Sequence, residues 1–178
     1  MNNEWVHHSE FTIHNSLTFN LEPVNCLLTI YRGRETLAIE RTLTIIKPDA
    51  VGTGHMGDII KIFEANRFRI VAARLVSLTT QEAGGFYAVH RGKGFFESLT
   101  TFMSSGRALV MVLEGDNVIA RLREVMGATD PAKAAPGTIR KLYATDIEHN
   151  CVHGSDAPET AAFEIAYFFA GIELVPLA

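Results

Sequence analysis

The chain has 178 residues, 47% of them hydrophobic and 20% charged, and its formal net charge is −4 at pH 7. This length and apolar content fit one globular domain with a full hydrophobic core. The slightly acidic balance excludes a long-range attraction to nucleic acid or to an anionic membrane, so any basic residues that bind phosphate must be concentrated in a local site.

The two cysteines, Cys26 and Cys151, lie far apart in the sequence, which argues against a disulfide framework. No apolar run reaches the ~18 residues that a membrane span needs. The N-terminus also lacks the basic segment and the cleavable apolar block of a secretory signal. We therefore expect a cytoplasmic protein that has neither a membrane nor a nucleic acid as its partner.

Residues 1–38 are polar and aromatic, and they show no sustained hydrophobic period. Two short apolar runs, 17–21 and 26–31, could pair as a hairpin, but no tight-turn signal joins them. We interpret residues 1–38 as a loosely ordered N-terminal extension. A second interpretation is that this segment is not part of the native protein and that translation starts close to Leu37.

Regular elements begin near residue 41 and continue to the C-terminus. Strands are predicted from alternating or β-branched apolar runs, and helices from apolar residues at steps of three and four. The predicted elements are, in chain order, a strand at 42–47, a helix at 58–68, a strand at 70–78, helices at 79–90 and 95–103, a strand at 108–113, a helix at 116–127, a structured loop at 130–140, a strand at 151–153 and a final helix after 156.

Several residues carry start or stop signals for these elements. Pro48 is predicted to stop the first strand, because proline cannot donate a hydrogen bond to a strand ladder. Thr79 and Glu82 have the spacing of a capping box at the start of the second predicted helix. Asp116 is predicted to cap the helix that ends at Gly127.

The last helix is predicted to begin at a second capping pair, Asp156 with Glu159, and to face the core with Ala162, Ile165 and Phe169. The order of the elements is an elaborated β-α-β-β-α-β arrangement. We therefore predict an α+β fold, a ferredoxin-like βαββαβ sandwich with a four-stranded antiparallel sheet and added helices. Because the chain has no Gly-rich phosphate loop, any nucleotide must be bound by side chains.

His153 is the most informative residue for function. It ends a short apolar run and meets a Gly-Ser-Asp turn, so we expect an accessible imidazole held at a defined angle. Lys47 ends the first predicted strand, and Arg123, Thr129 and Arg140 lie near helix ends or in loops. A nucleophilic nitrogen among Lys, Arg and hydroxyl groups suits the acceptance of a phosphoryl group.

Several short motifs follow one another across residues 39–175. They are ERTL at 40–43, IKPDAV at 46–51, FYAVH at 86–90, SG at 105–106, LEG at 113–115, MGATDP at 126–131, PGTIR at 136–140 and HGSD at 153–156. Each motif alone is weak evidence, but their common order and spacing are highly specific, and together they resemble the nucleoside diphosphate kinase family, of bacterial type. The resemblance implies that residues 39–178 form a catalytic domain that transfers the terminal phosphate of a nucleoside triphosphate, with ATP as donor, to a nucleoside diphosphate by a ping-pong mechanism.

The resemblance also implies roles for individual residues. His153 would become a phosphohistidine on Nδ1, Glu164 would brace its ring, and Ser155 would supply a supporting hydroxyl. Lys47 and Tyr87 would lie beside the transferred phosphate. A neutral imidazole is the main form of histidine at neutral pH, and it attacks phosphorus without a separate base.

By the same family positions, Arg123, Thr129 and Arg140 would hold the other phosphates. Phe95 would stack on the base, and Asn150 would contact a ribose hydroxyl. Stacking accepts any base, so the resemblance implies broad base specificity. Mg²⁺ is the expected cofactor, bridging phosphate oxygens with few or no direct protein ligands. A homo-oligomer, either a tetramer or a hexamer, is the expected assembly.

A metal site is an alternative interpretation of the same region. His149, Cys151 and His153 form an H-x-C-x-H cluster, and alternate residues of a strand face the same side. Zinc prefers four ligands, and the other cysteine, Cys26, lies in the extension. Two further histidines are predicted to be surface residues without a role: His55 and His90.

A second alternative is a relative that has lost catalysis and serves as a scaffold. Four positions depart from the family pattern: Gly94 and Arg107 where proline is usual, Asp130 where asparagine is usual and Arg67 where glycine is usual. None of these positions touches phosphate in the family, so they affect loop rigidity and packing. Because every expected catalytic position is filled, we favour an active enzyme.

The candidate residues also have structural interpretations. His153 could be a hydrogen-bonded histidine near a helix cap, and Lys47 could end a strand in water. Arg123 could lie on a solvated helix face. Of the neighbouring Phe95 and Phe96, we expect only Phe96 in the core.

Overall fold

The computed structural model describes residues 39–175, and the predicted extension at 1–38 lies outside the described residues. Four strands form one sheet with the order β2-β3-β1-β4, in which all neighbouring strands are antiparallel. The strands are β1 Ile39–Ile46, β2 Arg69–Ser77, β3 Arg107–Asp116 and β4 Val152–Gly154. This arrangement confirms the predicted ferredoxin-like α+β fold.

Helices connect and cover these strands. Their bounds are α1 Pro48–Gly52, α2 Met56–Ala65, α3 Thr80–Phe86, α4 Phe96–Met103, α5 Val118–Met126, α6 Ile139–Tyr143 and α7 Pro158–Phe168, with short 3₁₀ turns at Ala88–His90 and Gly171–Glu173. None of the helices in the described part of the chain is long and apolar enough to cross a membrane.

Both faces of the sheet carry a hydrophobic core, because successive strand side chains point to opposite sides. On β1, Leu43 and Ile45 face a cluster supplied by α3, α4 and α7, whereas Ile46 faces a cluster supplied mainly by α2 and α5. Burying one side chain of this size contributes about 1.5–3 kcal/mol. The two clusters fix the helices, and therefore the loops between them, against the sheet.

The first strand ends as predicted, but Pro48 also begins the short helix α1, which the sequence pattern did not predict. Proline suits the first helical position, because the N–H that it lacks would have no partner there. The N-terminal part of β1 extends back to Ile39, which pairs with Asp116 of β3.

The capping box at Thr79 is confirmed. The Glu82 backbone N–H donates to Thr79 Oγ1 at 3.2 Å, and the Thr79 backbone N–H donates to Glu82 Oε2 at 2.7 Å. These bonds stabilise the carboxylate and lower the pKa of Glu82. The helix ends at Phe86, and a separate 3₁₀ turn carries the chain to His90.

Two predicted caps are wrong. Asp116 is the last residue of β3, and the residue that precedes α5 is Asn117, in a left-handed conformation with φ 46°. Asp156 bonds to Thr160, whose Oγ1 donates to Asp156 Oδ1 at 2.7 Å, and Glu159 is exposed. Both capping patterns are present in the sequence. Asp116 instead pairs with β1 as part of a strand, and the Asp156 carboxylate instead accepts from the Thr160 hydroxyl.

The predicted core stripe of α7 is correct at Ile165 and Phe169 but wrong at Ala162. Ala161, Ile165 and Phe168 are buried, and Ala162 is exposed. Phe169 is buried as predicted, just after the last helical residue.

Arg67 follows α2 with φ 59°, in the left-handed region that favours glycine. The family resemblance predicts glycine at this position, and the conformation explains why. An arginine here costs roughly 1–2 kcal/mol relative to a right-handed conformation.

Candidate active site

A cleft of about 1300 Å³ brings together side chains from distant parts of the chain. It contains all the predicted site residues except Ser155, which lies buried behind it: Lys47, Tyr87, Phe95, Arg123, Thr129, Arg140, Asn150, His153 and Glu164. Its size and mixture of apolar walls with a few charged groups suit a small-molecule ligand.

His153 lies in the middle of β4, directly opposite Ile45 of β1. Side chains of directly opposite residues share a face of the sheet, so the imidazole points to the face that carries α3 and α7. The ring meets Phe86 and Tyr87 in edge-on contacts, with ring centroids 5.4 and 5.9 Å away. These aromatic walls restrict the ring, and 21% of the His153 side chain stays exposed in the cleft.

Glu164 holds the imidazole from the opposite side. His153 Nε2 lies 2.9 Å from Glu164 Oε2, and Ser155 Oγ donates to the same oxygen at 2.7 Å. Because a carboxylate oxygen accepts hydrogen bonds, Nε2 carries the proton, and the lone pair is left on Nδ1. Within residues 39–175, Nδ1 makes no hydrogen bond.

The residue after His153 packs closely against α5. A Cβ placed on Gly154 would lie 2.9 Å from both Leu122 Cδ2 and Met126 Sδ of α5. The glycine therefore lets α5 pack close behind β4. This contact explains in physical terms why glycine follows the histidine in the HGSD motif.

The chain enters β4 through a strained turn at Cys151. The Val152 backbone N–H donates to the Asn150 carbonyl at 2.8 Å, and Cys151 has φ 67°. An i→i+2 bond around a residue with positive φ is the rare type of γ-turn. Such a conformation costs of order 1–3 kcal/mol in a non-glycine residue and persists only where its surroundings enforce it.

Lys47 is buried at the end of β1, with 6% of its surface exposed. Its Nζ donates to Asn150 Oδ1 at 2.7 Å and lies 5.7 Å from the centre of the Phe102 ring. Burial lowers the pKa of Lys47 to about 8, against an opposing effect of the Asp49 charge. The interpretation of Lys47 as a strand end in water is therefore wrong.

Arg140 lies in the first turn of α6, whereas the sequence pattern predicted a loop there. Its guanidinium donates to the Gly127 carbonyl at 2.8 Å and to the Val152 carbonyl at 3.0 Å, so it joins the end of α5 to β4. Its buried Nε has no partner within the described residues. Burial and the neighbouring Arg123 charge lower the pKa of Arg140 to about 10, so Arg140 remains charged at neutral pH.

The outer wall of the cleft is more exposed. Arg123 on α5 and Thr129 in the following loop are exposed, so their side chains are accessible to a ligand. Phe95 is 49% exposed, and Lys93 Nζ lies 5.8 Å from the centre of its ring. Phe96 packs partly buried against the core, as predicted.

Two buried polar groups, Tyr87 and Asn150, also line the cleft. The Tyr87 hydroxyl has no hydrogen-bond partner within the described residues, and burial together with the Glu164 charge raises the pKa of Tyr87. The Asn150 side chain accepts from Lys47 and donates through Nδ2 to the Ile147 carbonyl at 2.6 Å. Asn150 therefore orients the Lys47 ammonium, a contact that sequence reasoning did not predict.

The cleft is lined by further described residues that were not predicted as site residues, and His90, which was predicted to be a surface residue without a role, is one of them. His90 stacks on Tyr87 with an interplanar angle of 16°, and burial with the nearby Lys93 and His153 charges lowers the pKa of His90. Asp156 also lines the cleft. The position of His90 in the FYAVH motif, together with Tyr87, is the sequence signal that indicates its place in the cleft.

The H-x-C-x-H cluster does not converge on one point. His149 bonds through Nδ1 to Asp146 at 3.0 Å, and His153 bonds to Glu164. The Cys151 thiol is buried, and burial with the Asp49 charge raises its pKa to about 12. In the described part of the chain, no three His, Cys, Asp or Glu side chains are placed to hold a metal ion together.

Comparisons with known proteins agree with this geometry. The family model for nucleoside diphosphate kinase matches residues 40–174. A nucleoside diphosphate kinase from Nitratidesulfovibrio vulgaris (strain DP4) is 56% identical over 137 residues, which cover 77% of this chain and 99% of the relative. The solved Aquifex aeolicus nucleoside diphosphate kinase has a TM-score of 0.76 at 45% identity, covering 78% of this chain and 100% of that chain. A halophilic nucleoside diphosphate kinase from Halobacterium salinarum, in complex with CDP, has a TM-score of 0.75 at 40% identity, covering 78% and 93%.

Proposed function

The chain belongs to the nucleoside diphosphate kinase family, and from this membership we propose the chemistry of its cleft. The protein is a phosphotransferase that moves the terminal phosphate of a nucleoside triphosphate to a nucleoside diphosphate. We propose that the transfer has two steps, with a phosphohistidine on His153 between them and ATP as the main donor. A catalytically silent scaffold is the competing hypothesis.

In the first step, the Nδ1 lone pair of His153 attacks the γ-phosphorus. The N–P bond forms as the bond from phosphorus to the β–γ bridging oxygen breaks, and the nucleoside diphosphate leaves with that electron pair. The ring gains positive charge as it is phosphorylated. The Glu164 carboxylate, 2.9 Å from Nε2, stabilises that charge. No base is needed, because the attacking nitrogen carries no proton.

In the second step, a terminal oxygen of the acceptor diphosphate attacks the phosphohistidine, and the N–P bond breaks. Charge in the transition state lies mainly on phosphoryl oxygens, so fixed cations and donors carry most of the catalysis. We assign this task to Lys47 and the Tyr87 hydroxyl beside the transferred group. Arg123, Thr129 and Arg140 hold the other phosphates.

We propose that Mg²⁺ enters the cleft with the nucleotide. An ion that phosphate oxygens hold would need few or no direct ligands from the protein. When bound, the ion neutralises part of the phosphate charge. The protein's contribution is the set of cations around it.

One observation carries the proposal: the His153 ring is tied through Nε2 to Glu164, while Nδ1 has no partner among the described residues of a cleft that also contains Lys47 and Arg140. Incubation with γ-labelled ATP and Mg²⁺ tests it. We expect stoichiometric label on the protein that is labile to acid, stable to base and removed by GDP. No label, or label stable to acid, would favour the scaffold hypothesis.

We propose that the base stacks on Phe95 at the mouth of the cleft and that Asn150 contacts the ribose. Stacking on an aromatic ring contributes about 1–3 kcal/mol per base. Phe95→Ala is therefore expected to raise KM for nucleoside diphosphates by roughly 5- to 150-fold and to change kcat less. Steady-state kinetics with ADP, GDP, CDP and UDP measure this effect.

The base-stacking proposal also predicts that the native enzyme accepts all bases within roughly 10²-fold in kcat/KM. Phe163→Ala is the matched control, because Phe163 is 57% exposed on α7, outside the cleft. A purine preference above that limit, or equal KM values for Phe95→Ala and Phe163→Ala, would exclude stacking at Phe95.

The rate is expected to fall at alkaline pH. The pKa of Lys47 lies at about 8, so its ammonium is present below pH 8 and is lost as pH rises through 8. Because the charged form binds phosphate, kcat/KM should fall by up to about tenfold per pH unit above that point. A pH series of kcat/KM measures the midpoint. A profile that stays flat to pH 10 would contradict a phosphate-binding role for Lys47.

Three wider proposals accompany the reaction. We propose that residues 39–178 form the catalytic domain and that residues 1–38 are an extension to it, since the family match covers 40–174. We also propose a cytoplasmic enzyme, where its nucleotide substrates are available. We propose, from the family membership, a homo-oligomer, either a tetramer or a hexamer, and light scattering of the purified protein measures its mass.

A further inference from the structure

Asp49 contacts the strained turn that leads into β4. Its Oδ2 accepts the backbone N–H of Cys151 at 2.9 Å, and the Cys151 carbonyl accepts the backbone N–H of Lys47 at 2.9 Å. Both polar groups of the residue with positive φ are therefore tied to the segment where β1 passes into α1. His153 lies two residues further along, so its position depends on this turn.

The second carboxylate oxygen of Asp49 has a different environment. Oδ1 is buried and has no hydrogen-bond partner within residues 39–175. A buried, unpartnered carboxylate oxygen is costly unless a nearby positive charge offsets it. Lys47, two residues earlier in the chain and itself buried, provides that charge. The charge of Asp49 in turn raises the pKa of Lys47, against the effect of burial.

We propose that Asp49 is a positioning residue for phosphoryl transfer: its carboxylate holds the Cys151 turn that places His153, and its negative charge favours the Lys47 ammonium. This inference rests on the proposed function and adds a residue to it. Asp49 would touch neither the nucleotide nor the transferred phosphate. It would act through Cys151 and Lys47.

The charges around Lys47 come from several elements. Asp49 on α1 and Glu148 in the loop before β4 favour the ammonium, Arg140 on α6 opposes it, and the Cys151 thiol favours it only when ionised. Burial lowers the pKa of Lys47 most, and the charge of Asp49 is the largest effect in the other direction. Removal of that charge alone should therefore move the alkaline limb of the rate profile.

Two variants separate the two roles of Asp49. Asp49→Asn keeps an oxygen that can accept from Cys151 but removes the charge. We expect kcat near pH 7 within about fivefold of the native enzyme, and the alkaline midpoint of kcat/KM lower by at least about half a pH unit. Asp49→Ala also removes the acceptor, and we expect both kcat and the rate of His153 phosphorylation to fall by about 10- to 100-fold.

Asp58→Asn is the matched control, because Asp58 is an exposed carboxylate on α2 outside the cleft. It should match the native enzyme in rate and midpoint. A purely structural role for Asp49 would lower the melting temperature without moving the midpoint. The inference is overturned if the alkaline midpoint of kcat/KM does not move in Asp49→Asn. It is also overturned if folded Asp49→Ala has the same kcat as Asp58→Asn.

The midpoint in Asp49→Asn carries the test if Asp49→Ala does not fold. Failure of the native enzyme to accept label from ATP would instead overturn the proposed function. The two failures are therefore distinguishable, because the first is a difference between variants and the second is seen without any substitution.

Discussion

His153→Ala is expected to abolish phosphate exchange, with kcat lower by at least about 10⁵-fold. Alanine has no atom that can form the N–P bond, and neither Lys47 nor Tyr87 can replace a neutral nitrogen nucleophile at neutral pH. The remaining cleft would still bind nucleotide through its cations and aromatic ring. The variant should therefore lose turnover while keeping affinity for ADP within about tenfold.

The fold of His153→Ala should survive. The substitution leaves a partly open space beside Phe86 and Tyr87, and Ser155 still donates to Glu164. Such a loss costs about 1–3 kcal/mol, less than the stability of a typical domain. Steady-state exchange between ATP and GDP measures the turnover, calorimetry measures the affinity for ADP, and thermal unfolding measures the stability.

His55→Ala is the matched control for this substitution. His55 precedes α2, lies outside the cleft and contacts Tyr143 with ring centroids 4.6 Å apart. It should retain native turnover and full labelling from γ-labelled ATP. Steady-state exchange retained by His153→Ala would refute the assignment of the phosphohistidine.

Lys47→Met is expected to lower kcat/KM by about 10²- to 10³-fold, the usual loss when one charged or polar donor to the transition state is removed. Methionine has a similar length and no charge, so the volume of the side chain is nearly kept. The alkaline limb near pH 8 should also disappear, because the group that titrates is gone. A pH series of kcat/KM measures both effects.

Lys47→Met is expected to keep or gain stability although it loses activity. A pKa that falls from its usual 10.5 to about 8 means that folding disfavours the ammonium by about 3 kcal/mol. This cost is present below pH 8 and disappears as pH rises from 8 to 10.5. The substitution removes the cost but leaves Asn150 Oδ1 without its donor, which loses about 1–3 kcal/mol.

The melting temperature of Lys47→Met at pH 7 should therefore lie within a few degrees of the native value or above it. Lys61→Met is the matched control, because Lys61 is exposed on α2, and it should leave kcat/KM unchanged. Lower activity accompanied by a large drop in melting temperature would indicate that Lys47 is mainly structural.

The two substitutions also separate binding from chemistry. His153→Ala removes the proposed bond-forming atom and leaves the cations, whereas Lys47→Met removes a cation and leaves the proposed nucleophile. Label on Lys47→Met should still form, but slowly, at a rate that single-turnover kinetics can measure. If Lys47→Met, like His153→Ala, takes up no label, then Lys47 is needed to position His153.

Much of the fold follows from local patterns in the sequence. The alternation on β1 separates Leu43 and Ile45 from Ile46, and these residues do face different cores. The Thr79–Glu82 capping box is correct to the residue. Such signals are reliable because each depends on neighbours within four positions, whose geometry is the same in every helix or strand.

Local patterns fail where a distant partner competes for the same residue. The sequence around Asp116 matches the pattern of a helix cap, yet Asp116 pairs with Ile39, the first residue of β1. Arg140 lies in a segment rich in proline and glycine, yet α6 begins there, and its guanidinium binds carbonyls of Gly127 and Val152. These outcomes depend on contacts between segments that are far apart in the chain.

The sequence by itself determined the order of the elements, the alternation of the strands, the family and nine of the residues that line the cleft. The tertiary structure alone decided which nitrogen of His153 bonds to Glu164, how deeply Lys47 is buried, and that Asp49 holds the turn at Cys151. The physical reason is the distance along the chain between the groups that interact. Periodicity and capping are local, whereas tautomers, desolvation and a positive φ at a non-glycine residue are set by groups that only folding brings together.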